Sequence, residues 1–356
     1  MANLRKPLAR NVLINAAAVM IIIAGLRTAS SMVVRLLLAF FIAFIFGPLF
    51  FWLTRNKVPK ALSIIIVLLV IVAFGTVLGL LIGSSVYDFT ETWPVYQEKF
   101  VRVVSGTIAY LNERGIEMPR ETVLEVLNPG TIMNVVGSTL TTLTGMLSDT
   151  VFLLITVVFV LLEAVGLPVK VTKIWGRDSH TMQELNRFAD IMQNYITLKT
   201  LISLATGIFA GVSLMIVGID FALLWGLLAF LLNYVPNIGS IIAAIPPIIL
   251  AFIQFGWIHA IIVLSIFLVI NMAIGNIIEP RVMGKGMGLS TLVVFVSLVF
   301  WGWVLGPVGM LLSVPLTMSV KLYLENREST RWMAIMLGEA SRIDRAEMLK
   351  KTDSSE

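Results

Sequence analysis

The chain of 356 residues contains no cysteine. That excludes disulfides, thiolate nucleophiles and cysteine metal ligands, and leaves the compartment open. Charge is scarce too: Asp, Glu, Lys and Arg fill 13% of positions, against about 25% in an average soluble domain. No carboxylate falls near the middle of a long apolar run. Glu163 lies toward the end of its run, and Asp220 and Glu279 sit at boundaries. Proton and sodium relays inside membranes are usually built on such acids, so their lack leans toward an uncharged polar substrate. There is no phosphate-binding GxxxxGK[ST] loop, so ATP use by the chain itself is not expected. Neither His180 nor His259 belongs to an HExxH zinc pattern, and no GxSxG elbow is present. No catalytic residue, metal or cofactor is expected.

What fills the space is hydrophobicity, with 58% hydrophobic residues and a mean hydropathy of +0.94. The expectation is an all-α, polytopic membrane protein lying in a lipid bilayer. The net charge of +5 calls for no nucleic acid, because basic residues beside apolar spans are what orientation in a membrane requires. The start, Met1 to Arg10, is basic and an apolar run begins at Val12. With no small-residue cleavage site and further runs at once, a retained first span is expected rather than a cleaved signal.

About eight apolar runs can be marked, near 12–26, 32–53, 61–83, 146–168, 200–217, 221–256, 258–278 and 290–320. A span needs about 20 residues. The sixth and eighth runs are long enough to double back as helical hairpins, broken at Asn233-Tyr-Val-Pro-Asn-Ile-Gly239 and at Trp301-Gly-Trp-Val-Leu-Gly-Pro-Val-Gly309. Broken backbone at membrane depth survives only where protein or a watery cavity covers it, and a matched pair of interrupted segments points to a transport pathway.

These runs divide the chain into N-terminal transmembrane helices (1–83), an external helical insert (84–145), a transmembrane and a cytoplasmic amphipathic helix (146–199), a transport core with both hairpins (200–320) and a cytoplasmic tail (321–356). Arg5, Lys6, Arg10, Arg55, Lys57, Lys60, Lys170, Lys173, Arg177, Arg187, Lys199 and the basic tail can all be cytoplasmic together only if the eighth run folds back, which places both termini inside.

In the insert, Tyr96, Phe100, Val103, Thr107 and Leu111 follow helical spacing, while Pro119 starts and Asn128-Pro129-Gly130 ends a second short helix. The insert's apolar faces are expected to pack on the membrane domain or on another subunit of a homo-oligomer. Thr181-x-x-Glu184 reads as a capping box opening the amphipathic helix of Met182, Leu185, Ala189, Met192 and Ile196. A span plus hairpin (200–256), followed by another span plus hairpin (258–320), has the outline of an inverted repeat.

Candidate functional residues cluster at these features. Pro236 removes a helix hydrogen bond, Asn233 and Asn237 bracket it with amides suited to hydroxyl-rich solutes, and Gly239 with Ser240 lets a helix start face a cavity. The same asparagines could instead glue helices together. Asn271, Asn276, Glu279 and Arg281 form a second cluster, in which Asn276 and Glu279 share a face at three-residue spacing. Glu279 and Arg281 read as an inner gate or as an interfacial anchor, followed by a flexible basic loop with Gly284, Gly286 and Gly288. Gly306, Pro307 and Gly309 favour a moving, re-entrant hairpin, with Trp301 and Trp303 as interfacial anchors.

The segments Asn233-Tyr-Val-Pro-Asn-Ile-Gly-Ser240, Gly275-Asn-Ile-Ile-Glu-Pro-Arg-Val-Met-Gly284, Gly288-Leu-Ser-Thr-Leu-Val-Val-Phe295 and Phe300-Trp-Gly-Trp-Val-Leu-Gly-Pro-Val-Gly-Met-Leu-Leu-Ser-Val-Pro315 closely resemble the autoinducer-2 exporter (AI-2E) family of bacterial membrane proteins. The resemblance covers nearly the whole chain. It implies a bacterial inner-membrane transporter, in its best-described members exporting the quorum-sensing signal autoinducer-2, a small hydroxyl-rich molecule. The family does not fix the substrate, and some members are linked to sodium–proton antiport, which here would use Glu279 and Glu163. A membrane scaffold acting through the insert is the remaining alternative.

Overall fold

The structure, a computed structural model, describes residues 5–115, 150–176, 179–236, 238–283 and 289–338. The second insert helix expected from Pro119 to Gly130 lies outside the described residues. So do Asn237, the glycine loop 284–288 and the tail from residue 339.

Every described element is helical: α1 (Arg5–Thr28), α2 (Ser30–Arg55), α3 (Lys60–Glu113), α4 (Thr150–Trp175), α5 (His180–Val217), α6 (Ala222–Leu232), α7 (Ile238–Phe255), α8 (Trp257–Ile270), a π-helical segment (Asn271–Ile278), α9 (Glu279–Met283), α10 (Thr291–Leu311), α11 (Ser313–Glu325) and α12 (Arg331–Met336). Among these residues 6 stretches are long and apolar enough to cross a membrane, or 7 if α4, bent by 45° between Ala164 and Val169, is one span. The expected count of eight is not confirmed among the described residues, where the apolar helix within α1, Ala17–Thr28, is short. Large apolar side chains face outward, as lipid as a solvent allows: Ile216 is 81% exposed and Ile258 73%.

Two further boundaries differ from expectation. The third span and the first insert helix are one helix, α3, whose 54 residues extend about 80 Å, well beyond a hydrocarbon core of about 30 Å. Likewise the amphipathic helix and the fifth span are one helix, α5. Its cap is Ser179 rather than Thr181: the Ser179 Oγ accepts from the Met182 amide at 3.2 Å, while Glu184 pairs with His180 at 2.8 Å. Composition changes at these points but backbone hydrogen bonding does not.

The helices gather into two compact units. One comprises 1–45, 152–195 and 286–356, the other 46–151 and 196–285. In the second unit, Tyr96, Phe100, Val104 and Ile108 are buried at four-residue intervals on α3, and α3 packs on α6 and α7. Phe100 meets Phe252 edge-on at 6.4 Å. Phe221, at the α5–α6 turn, has the left-handed φ of 58°, which a bulky residue adopts only under constraint. Its ring is held edge-on by Phe89 at 5.7 Å and Tyr96 at 6.5 Å.

A close glycine crossing joins α5 and α6 in this unit. A Cβ on Gly226 would stand 2.8 Å from the Gly207 carbonyl oxygen and 2.9 Å from the Gly211 Cα. Such close approach is how helices associate where no hydrophobic effect separates helix from lipid. Both obstacles are backbone and cannot rotate away. Gly226→Ala is therefore expected to destabilise the protein by about 1–3 kcal/mol, seen as a lower melting temperature in detergent.

In the first unit, α10 packs on α11, α11 on α12 and α1 on α10. Arg27 lies over the Trp303 ring at 4.4 Å. The Ser290 hydroxyl caps α10 and its amide donates to the Leu337 carbonyl at 3.1 Å, tying the start of α10 to the end of α12.

Candidate functional site

The first hairpin is formed by α6 and α7, which pack on each other around the break expected at Asn233. Helical bonding persists to the Asn233 amide, which donates to the Ala229 carbonyl. It then degenerates: Val235 donates to Leu232 at 2.9 Å and Ile238 to Pro236 at 2.6 Å, the short-range bonds left where proline cannot continue the ladder. Gly239 is buried, and a Cβ there would collide with the Leu232 carbonyl. The returning helix thus starts in contact with the last turn of the outgoing one.

One face of α5 holds this tip. Asn233, 9% exposed, donates from Nδ2 to Ser203 Oγ at 2.9 Å. Tyr234 donates its hydroxyl to Thr200 Oγ1 at 2.8 Å. One residue earlier, Lys199, whose side chain is 4% exposed, pairs with Glu279 at 2.6 Å. A charge so deeply buried survives only when paired, since removing either ion from water costs several kcal/mol. Lys199, Thr200 and Ser203 therefore form a polar ladder on α5 that touches the hairpin break and the start of α9.

Glu279 reaches this ladder through the π-helical segment. Its amide donates to the Ile274 carbonyl, five residues back, the signature of π winding, which in proteins is frequent at functional sites. Three-residue spacing no longer means a shared face in such winding. Asn276 is exposed, Asn271 is half-buried, and Glu279 turns to α5. Arg281 is exposed; the partner of Glu279 in this conformation is Lys199, not Arg281. Pro236 is half-buried at the tip. The structure thus brings Asn233 and Glu279 to neighbouring turns of α5, with Pro236 and Gly239 in the hairpin tip beside Asn233 and with Asn271 and Asn276 in the π-helical segment before Glu279.

A second polar cluster lies at the other end of α5. Asp220 accepts from the Tyr96 hydroxyl at 2.5 Å and from the Gln254 amide, joining α3, the α5–α6 turn and the end of α7. Neither cluster was found from sequence, because their members are 80 and up to 158 residues apart. The Gly207-x-x-x-Gly211 spacing was the one local signal for the crossing between them.

The second hairpin belongs to the other unit and is built alike. Gly306 breaks α10 with φ 69° and ψ −154°, a conformation open to glycine alone, and Pro307 follows it, exposed. Beyond the break the chain folds back so closely that a Cβ on Gly309 would collide with the Trp301 carbonyl, and one on Gly302 would lie 2.8 Å from Met310 Cγ. Trp301 donates its indole N–H to Thr317 Oγ1 at 3.0 Å, pinning α10 to α11.

Six or seven apolar helices of spanning length define a polytopic membrane protein, and the family match gives its class: residues 15–328 match the AI-2E family transporter. The chain belongs to that bacterial family. It is 41% identical over 322 residues, 90% of its own length and 94% of the relative's, to the AI-2 transport protein TqsA of Escherichia coli (strain K12). It is 38% identical over 328 residues, 92% of this chain and 94% of the relative, to YhhT of the same strain, whose name proposes transport and gives no substrate. A transport protein named in the same terms from Haemophilus influenzae is 40% identical over 334 residues, 92% and 96% of the two chains. The family and these relatives imply a small-molecule substrate and a membrane setting.

Proposed function

We propose that the chain exports a small polar metabolite, autoinducer-2 or a similar polyhydroxylated solute, across the bacterial inner membrane by alternating access. The observation that carries this reading is the polar ladder of α5: hydroxyls, an amide and an ion pair gathered at a helix break inside an otherwise apolar bundle. Hydroxyl-rich solutes are bound by such donors and acceptors, and the relative TqsA is named for autoinducer-2 transport. In this scheme the two hairpins are re-entrant, Asn233, Asn237 and Asn276 contact solute, and Asn271 flanks them. Glu279 with Arg281 lies at the inner gate, and Gly306, Pro307 and Gly309 allow the second hairpin to move. Both termini are cytoplasmic by the distribution of Lys and Arg, and the protein works as a homo-oligomer.

The test is uptake of labelled autoinducer-2 into everted membrane vesicles. Saturable uptake is expected from wild type, with KM raised about tenfold or more by Asn237→Ala, the effect of losing one or two hydrogen bonds to substrate. Uptake no greater than in empty vesicles would remove this substrate. A second reading, sodium–proton antiport, is favoured by one observation: Glu279 is a carboxylate held beside a buried ammonium, a place where a cation can be exchanged. It predicts pH- and sodium-dependent flux that Glu279→Gln abolishes.

A further inference from the structure

Two backbone irregularities of the second unit are the hairpin break that follows Asn233 and the π-helical segment 271–278. Both are held by consecutive turns of one helix. Thr200 and Ser203 bind the break through Tyr234 and Asn233, and Lys199 binds Glu279, the first residue after the π winding. The same residue that carries the carboxylate also closes the winding through its amide bond to Ile274.

This double attachment has a geometric consequence. A π segment holds one more residue per hydrogen-bonded ring than an α-helix. If 271–278 rewound to α geometry, everything after it would turn by about 100° around the axis. Glu279 would then leave the α5 face, and its carboxylate would lose Lys199. Conversely, while the pair holds, rewinding is blocked, because it would strand a buried ammonium. Registry and ion pair therefore stand or fall together.

We propose that Lys199 is a positioning residue for transport. By holding Glu279 it keeps Asn271–Ile278 in π winding. When the pair opens, the segment rewinds, turning Glu279 and Arg281 away from α5 and changing the face on which Asn276 lies. Thr200 adjoins Lys199 and binds Tyr234, so the hairpin tip loosens in the same step. The switch thus links the region of the inner gate to the helix break. Its role in transport rests on the export reading; the switch itself does not.

The test uses the absence of native cysteine. Ile216→Cys on α5 and Val282→Cys on α9 replace side chains that are 81% and 48% exposed, and both can carry spin labels in the full-length protein reconstituted in nanodiscs. Pulsed electron–electron distances are compared in the wild-type background, in Lys199→Met, in Glu279→Gln and in the charge swap Lys199→Glu/Glu279→Lys. Both single variants are expected to move the distance by about 5 Å or more, the scale of the chord swept by a side chain on a helix turning through 100°, and the swap to bring it back. Glu279→Gln keeps size and one hydrogen bond, so it reports on charge rather than on folding.

An unmoved distance in either single variant, or a shift that the swap does not reverse, overturns the proposal. In everted vesicles, Lys199→Met is expected to lower the maximal rate of autoinducer-2 uptake about tenfold, with any rise in KM smaller than that fall, because the pair acts on the conformational step and only indirectly on the solute contacts. A raised KM at unchanged maximal rate would overturn the positioning role and make Lys199 a substrate ligand. If wild-type vesicles take up no autoinducer-2, the export reading fails while the distance comparison still decides the switch.

Discussion

Gly239→Ala is expected to abolish transport and to cost about 3 kcal/mol or more in stability, the upper end of what overpacking a well-packed site costs. The added methyl would collide with the Leu232 carbonyl. That carbonyl belongs to the last turn of α6, so relief requires pulling the two arms of the hairpin apart. Doing so strains the Asn233 and Tyr234 contacts to α5, and the loss extends beyond the hairpin. Gly309→Ala is expected to act alike on the second hairpin through the Trp301 carbonyl. Gly79→Ala, on α3 with nothing within 4 Å of the added atom, gains helix propensity instead and is expected to be neutral or slightly stabilising, by up to about 1 kcal/mol. The three melting temperatures in detergent, measured beside vesicle uptake, check the contrast. Equal stability of Gly239→Ala and Gly79→Ala would disprove the tight fold-back.

The second large effect concerns the buried charge. Lys199→Met leaves the Glu279 carboxylate, 20% exposed, without its counter-ion, and is expected to destabilise the protein by about 3–5 kcal/mol. Replacing both residues, as Lys199→Met/Glu279→Met, removes both desolvation costs together. Most of the lost stability is expected to return, because well-packed hydrophobic substitutes for an ion pair are often neutral or better. Function does not return with it, since neither Glu279 nor its partner is restored. A double variant as unstable as the single one would mean that shape, not charge, sets the energetics of this contact.

The parts of this architecture that sequence reveals are those decided locally. Pro236 and Gly239, and Gly306, Pro307 and Gly309, carry their backbone consequences within a few residues, so both breaks could be placed before the structure. The membrane character followed from composition in the same way. The end of α3 and the start of α5 are not legible in this way, because a change from apolar to amphipathic sequence has the look of a boundary although the helix continues through it. Hydrogen bonds ignore that change unless a breaker intervenes, and at Lys199 there is none.

The site was half legible for a related reason. Asn233 could be singled out from its neighbour Pro236, but its partner Ser203 is 30 residues away. Glu279 drew attention as a rare charge, yet its first partner by proximity in sequence, Arg281, is not the one it binds. Only folding brings Lys199 within reach across 80 residues. The π winding was invisible as well, and with it the separation of Asn276 from Glu279. Helical spacing rules assume 3.6 residues per turn, and one widened turn is enough to defeat them.

The two polar clusters on either side of the glycine crossing act together as a ruler. From Lys199 to the end of α5 at Val217 is about 27 Å of helix, and Asp220 lies just beyond. Between those marks α5 carries no charge, and at either end its neighbours are tied to it through carboxylates. This interval is close to the hydrocarbon thickness of a bilayer, about 30 Å. A helix fastened at both ends cannot absorb a thicker or thinner membrane by tilting alone. Mismatch would then load the fastenings at both ends, so acyl-chain length is expected to be a mechanical variable of this protein.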